Sequence, residues 1–451
     1  MQLTLATMLT KRTNKNLQHA ILTMLSLYLS FANSVYAASN VSTIWSIDYR
    51  FSTNLRDSDV EFSRFSITSE TRFNLSRNWR IQLDARAEFS DDDVGLGTIN
   101  GYSPLSRPLI DNKQTRLELD RAFIQWRKRA HSVTLGKQVT PWGVLDGVQI
   151  TDRFDPVRRR DFIFTDVRPE RIARWGARWR NKIGNFKLDT SFAFDGTITQ
   201  QAQPGALFFT TSTRFTGGVD VTNTPVNLNS QNRNNSLAQS TFGARISHPL
   251  GQGDISFLGF RGPDTDPILG LADHQPIDEA IVVQTNYQRR TLYGAAYDVT
   301  LGETVLRTEL AFIPDQPINI QWETPLQSAD VRRLLVGFGI DWSAPEQWFI
   351  NAQLAIDHID AQEFDILRPD TDTIITLRAQ RLFINGRLLF KAELLGTINQ
   401  RDGVLRPELI YEYSDKLKLR SGIDWLFGDK NTQFGQFKDN SRLWFAATYT
   451  F

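Results

Sequence analysis

The segment 136–180 holds the side chains best suited to chemistry. From Arg153 to Arg180 it carries nine arginines against four acidic residues, Asp155, Asp161, Asp166 and Glu170. Guanidinium groups present forked donors that match carboxylates and phosphates, and in a confined channel they raise the local concentration of anions. The candidate anion-contacting residues are Arg158, Arg159, Arg160, Arg171, Arg174 and Arg178. Pro141-Trp142-Gly143 breaks the preceding strand, and Asp146, Asp152 and Asp155 follow as candidate structural residues of a constriction loop. Two readings stay open. In one, the loop folds inward, narrows a pore and favours anionic solutes. In the other, an Arg–Asp network pins the loop to a wall while further arginines face lipid phosphates. Arg174 and Arg178 lie opposite Trp175, Ala177 and Trp179 on one strand, so a lipid-facing Trp side turns both arginines into the lumen.

Other chemistry is sparse. His131, His248, His274 and His358 lie far apart and show no metal-ligand spacing. Ser247 and His248 are neighbours on a strand, point to opposite faces and cannot form a dyad. The run Asp91-Asp92-Asp93 lacks EF-hand spacing and reads as a solvated loop tip. The absence of cysteine excludes disulfides, Cys-based zinc sites, iron–sulfur clusters and thiol catalysis. No catalytic residue, metal or cofactor is expected. A balance of 51 basic against 50 acidic side chains argues against a nucleic-acid partner.

The elements that would position this segment alternate with a period of two. Trp79, Ile81, Leu83, Ala85, Ala87 and Phe89 interleave with Arg80, Gln82, Asp84, Arg86 and Glu88. The same pattern recurs at 45–51, 186–194, 334–342, 348–356 and 418–427. These runs are longer than the ~5–6 residues of a soluble strand and match the ~9–11 of a tilted membrane strand. Their aromatic ends suit membrane-interface girdles. The pattern predicts an all-β chain forming a single transmembrane antiparallel barrel of about 18 strands (16–18). Long loops are expected at 90–114, 140–170, 195–238, 262–279, 314–330, 358–370 and 428–440, alternating with short turns. The loop 195–238 reads as an extracellular lid. Residues 291–313 read as one long strand, since a break at Gly302 would spoil strand parity and loop alternation.

Lys11, Arg12 and Lys15 precede an apolar core at 20–32 and a small-residue site ending at Ala37. This predicts a secretory signal peptide over 1–37, cleaved after Ala37, and a barrel over 38–451. Removing three basic and no acidic residues leaves 48 against 50. An exported, cysteine-free barrel points to a Gram-negative outer membrane. Leu443, Phe445, Ala447, Tyr449 and Phe451 share one face of the last strand, and Phe451 is a candidate membrane-assembly residue.

Leu135-Gly136-Lys137-Gln138, Trp142-Gly143, Asp146-Gly147, Asp152, Pro156 and Arg158-Arg159-Arg160-Asp161 resemble a Gram-negative outer-membrane barrel family of unknown function. That family is similar in pattern to alginate-export-type, porin-like barrels. Gly428, Phe434-Gly435-Gln436-Phe437-Lys438-Asp439, Arg442 and Phe451 resemble its last loop and strand. Thr304-Val305-Leu306-Arg307-Thr308-Glu309-Leu310-Ala311 resembles another of its strands. The resemblance implies an 18-stranded, Arg-lined pore or exporter passing an anionic solute or polymer. Its expected partners are outer-membrane lipid, the barrel-assembly machinery and a polysaccharide-export or efflux system. Two alternatives remain: a channel for hydrophobic compounds, with an opening near 291–313, and a surface-binding barrel acting through loops 195–238 and 90–114.

Overall fold

The computed structural model describes residues 40–90, 101–112, 114–160, 170–203, 205–221, 226–230 (backbone alone), 237–271, 281–321 and 326–451. The signal segment, Asp91-Asp92-Asp93, Asp161, Asp166, Arg168 and His274 lie outside these residues.

Among the described residues, eighteen strands form one closed antiparallel barrel. They are β1 (Val41–Asn54), β2 (Val60–Asn74), β3 (Trp79–Ser90), β4 (Thr115–Lys128), β5 (His131–Gln138) and β6 (Arg174–Ile183). Next come β7 (Phe186–Ala193), β8 (Thr241–Leu250), β9 (Gly253–Pro263), β10 (Arg289–Leu301), β11 (Thr304–Gln321) and β12 (Gln327–Ala344). The last are β13 (Trp348–Asp360), β14 (Thr371–Phe383), β15 (Leu388–Thr397), β16 (Asp402–Glu412), β17 (Leu417–Phe427) and β18 (Arg442–Thr450). Each pairs with its sequence neighbour, and β18 closes on β1. Phe451 and Trp45 exchange two backbone hydrogen bonds of 2.9 Å at that seam. Closure leaves no open edge, which a strand in hydrocarbon requires.

The side-chain distribution inverts that of a soluble protein. Leu135, Phe257, Tyr293, Phe338, Trp425 and Phe445 are exposed on the outer face. Glu88, Arg116, Glu309, Glu393, Asp424 and Arg442 are buried. Period-two alternation therefore places apolar groups toward lipid and charges toward the lumen.

The expected single strand at 291–313 is corrected. Gly302, at φ +60°, heads a two-residue turn with Glu303 that joins β10 to β11, and Leu301 pairs with Thr304. A left-handed residue at this position is what a tight hairpin turn needs. Parity survives because this turn supplies the short link between the loops that follow β9 and β11, and β11 and β12 run for 18 residues each. They absorb most of the expected loop 314–330 into strand. The other long loops emerge at one barrel end and the short turns at the other.

Candidate pore constriction

Pro141 lies just past β5, where the chain leaves the wall, and the following loop turns into the lumen rather than outward. Trp142, Leu145, Ile150 and Phe154 are almost fully buried against Phe260, Leu292, Ile313 and Leu335 of the wall. Burial of each such side chain contributes about 1.5–3 kcal/mol. The Trp142 ring meets Phe154 edge-on, centroids 5.0 Å apart, and Phe154 meets Phe260 at 5.7 Å. The Trp142 Nε1–H donates to Asp189 Oδ2 at 3.2 Å.

Small residues on the wall make the groove that receives this loop. A Cβ at Gly337 would lie 2.5 Å from Leu145 Cδ1, and one at Gly339 2.6 Å from Leu145 Cδ2. A Cβ at Gly243 would approach Trp142 to 2.8 Å. The Gly337→Val variant is therefore expected to displace Leu145 and raise single-channel conductance above wild type. Unchanged conductance would contradict this packing.

Polar anchors hold the loop backbone. Glu309 of β11 receives four hydrogen bonds. Its Oε1 accepts from the Val144 and Leu145 N–H groups, the latter at 2.7 Å. Its Oε2 accepts from Thr151 N–H at 2.8 Å and Thr151 Oγ1 at 2.6 Å. Gln353 accepts from Gly147 N–H at 2.9 Å. Asp152 accepts from Trp142 N–H at 3.3 Å and pairs with Arg171. Asp155 accepts from Thr140 N–H and lies 3.6 Å from Arg174. Gly143 has no room for a side chain, with Asp152 Cβ 2.7 Å from its would-be Cβ. Asp146 precedes Gly147, which packs on Thr376.

All six arginines singled out in the sequence meet a carboxylate. Arg158 bridges Glu118 (2.6 Å), Asp120 (3.2 Å) and Glu170 (3.6 Å). Arg159 pairs with Asp266 at 3.0 Å and Arg160 with Glu88 at 3.6 Å. Arg171 and Arg174 take Asp152 and Asp155. Arg178 forks onto Asp189, with bonds of 2.9 and 2.5 Å. Arg174 and Arg178 do face inward, with Trp179 exposed on the opposite face. Removing one partner of a buried pair costs about 3–5 kcal/mol. The Arg174→Met variant should accordingly speed hydrogen exchange at the Thr140 amide, which Asp155 holds, and unchanged protection would count against the pairing.

A different set of cations makes no direct ion pair. Arg72 (β2), Arg80 (β3), Arg127 (β4), Arg180 (β6) and Arg245 (β8) form no ion pair within the described residues. Arg72 and Arg80 reach only Gln82 (3.4 Å) and Gln125 (2.9 Å). Cross-strand register aligns Arg127 with Ser132, Ser132 with Arg180, Arg180 with Asp189 and Asp189 with Arg245. This row borders a hollow of about 410 Å³ at the short-turn end. The wall from β14 to β18 is zipped instead. Arg378 meets Glu393 at 2.6 Å, Arg420 meets Glu408 at 2.6 Å, and Asp424 binds Arg406 (2.9 Å) and Arg442 (2.8 Å).

Above the constriction loop, toward the long loops, lies a cavity of about 500 Å³. Residues 194–203 and 205–221 fold over it, and Phe208 meets Phe437 edge-on at 5.3 Å. Arg153 lines this cavity and donates its Nε–H to Gln149 O at 3.0 Å. Burial, then repulsion from Arg333 and Arg290, pushes its guanidinium down to about 9. The histidines are scattered: His248 packs on Phe186 and His358 bonds Thr371 at 2.8 Å. Among the described residues no cluster suited to a metal ion occurs.

These features define a transmembrane β-barrel of porin-like architecture, narrowed by an inward loop. The chain belongs to the DUF1302 family, proteins of unknown function, whose family model matches residues 9–365. No curated protein matches it. Among solved structures it is similar to Acinetobacter baumannii OccAB2, at 11% identity over 91% of this chain and 98% of that one, with TM-score 0.53. It is also similar to OccAB3 of the same organism, at 12% identity over 92% and 99%, with TM-score 0.51. At such identity the likeness is one of fold.

Proposed function

We propose that the chain is an outer-membrane pore that passes anionic solutes by diffusion. The supporting observation is the asymmetry of the lumen. The wall from β14 to β18 neutralises its charges in ion pairs, while Arg72, Arg80, Arg127, Arg180 and Arg245 on the other wall form no direct ion pair within the described residues, Asp189, Asp298 and Glu309 reaching Arg180 and Arg245 only at longer range. A row in which arginines outnumber carboxylates draws anions into a narrow passage and repels cations. In this reading the six carboxylate-paired arginines hold the constriction loop and the wall, and Arg174 and Arg178 shape the passage that the free row polarises. The long-loop end faces the cell exterior and the short turns face the periplasm, as in other outer-membrane barrels. Phe451 and the last strand serve recognition by the assembly machinery.

Proteoliposome swelling tests the reading. Vesicles holding the full chain should admit a small organic anion such as gluconate several times faster than a cation of similar size. Equal rates, or none above protein-free vesicles, would sink it.

A further inference from the structure

The cavity above the constriction loop is polar at its floor and apolar at its side. Phe208, Phe209, Phe434 and Phe437 line one part of it, and Phe215 lies under the Arg214 guanidinium, 5.1 Å from its ring centroid. At the floor, Arg333, Asp357, Arg368, Asp372 and Arg214 alternate in a chain with contacts of 2.7, 2.9, 2.9 and 2.5 Å. Three guanidinium groups there share two carboxylates. Arg153 adds a cation whose terminal nitrogens carry no hydrogen bond among the described residues. Arg214 is 7% exposed, and its Nε and Nη1 are buried without an acceptor. Buried donors left unmatched beside a phenyl-lined flank call for an acceptor attached to an apolar body.

We propose that this cavity is a binding site for an amphipathic organic carboxylate, an aryl- or alkyl-substituted acid. The carboxylate takes the forked terminal nitrogens of Arg153, with Arg214 as a second donor, and the apolar body lies on the phenylalanines. A guanidinium fork matches two carboxylate oxygens, and a cavity of about 500 Å³ suits a small organic acid. The inference rests on the pore reading, because it supplies a station on the path just before the constriction.

The test is isothermal titration of 4-phenylbutyrate into the full chain in detergent, with chloride conductance read on the same preparation in bilayers. Saturable one-to-one binding is expected, with no binding of 4-phenylbutylamine. Arg153→Gln should weaken it at least tenfold. Arg153→Lys keeps the charge but loses the fork. It should weaken binding severalfold and covers the case in which Arg153→Gln fails to fold. Chloride conductance without 4-phenylbutyrate binding, or binding untouched by both variants, overturns the site and leaves the pore. Binding without conductance keeps the site and overturns the pore. Loss of both overturns both.

Discussion

Replacing Glu309 with Ala is expected to raise single-channel conductance at least twofold and to expose the Val144, Leu145 and Thr151 amides to hydrogen exchange. This one carboxylate accepts four hydrogen bonds from the loop. Hydrogen bonds to a charged group each contribute about 1.5–3 kcal/mol. Their loss therefore removes on the order of 5 kcal/mol or more, comparable to the cost of opening a local segment. The aromatic anchors Trp142 and Phe154 remain, so the released stretch is 144–151 and the loop stays tethered at both ends. Adding Trp142→Ala should widen the pore further than either change alone. Glu309→Gln keeps one acceptor oxygen but turns an amide NH2 toward the Thr151 donors, so its effect should be intermediate. If Glu309→Ala conducts like the wild type, the loop does not limit the passage.

The second large effect concerns selectivity. Changing Arg127, Arg180 and Arg245 together to Glu reverses six units of charge along one row. It should flip the sign of the reversal potential in a salt gradient. At about 0.1 M salt the Debye length is near 10 Å, so charges lining a narrow lumen act on the passing ion with little screening. The paired arginines behave differently. Removing Arg178 strips Asp189 of its forked partner and disturbs the acceptor of the Trp142 indole. Its effect on ions is thus mixed with an effect on the loop. A triple variant that keeps anion preference would place the selecting charges elsewhere.

The barrel was legible because its physics is local. Alternation needs only the identities of neighbouring residues, and it reported which side of each strand meets lipid. It also turned Arg174 and Arg178 inward correctly. The β10–β11 turn escaped because Gly302 is a lone turn residue, although the outward-facing set shifts there from odd positions (Tyr293, Leu301) to even ones (Leu306, Leu310, Phe312). No proline or asparagine marks it. The ion pairs were less legible, since partners such as Arg158 and Glu118 meet only after the sheet curves and the loop folds in. Glu309 carried a faint signal: it alternates with Arg307 on the polar face of a strand that resembled the family. Its four loop donors lie over 150 residues away in sequence, at 144, 145 and 151. The free row is a register effect, because Arg127, Arg180 and Arg245 come from strands that are not consecutive.

The most direct test of the account is the reversal potential of the full chain in a planar bilayer under a tenfold potassium chloride gradient. An open pore with a free arginine row predicts discrete conductance steps and a potential whose sign shows chloride to be the more permeant ion. A potential of the opposite sign, or a folded barrel that passes no current, would contradict it.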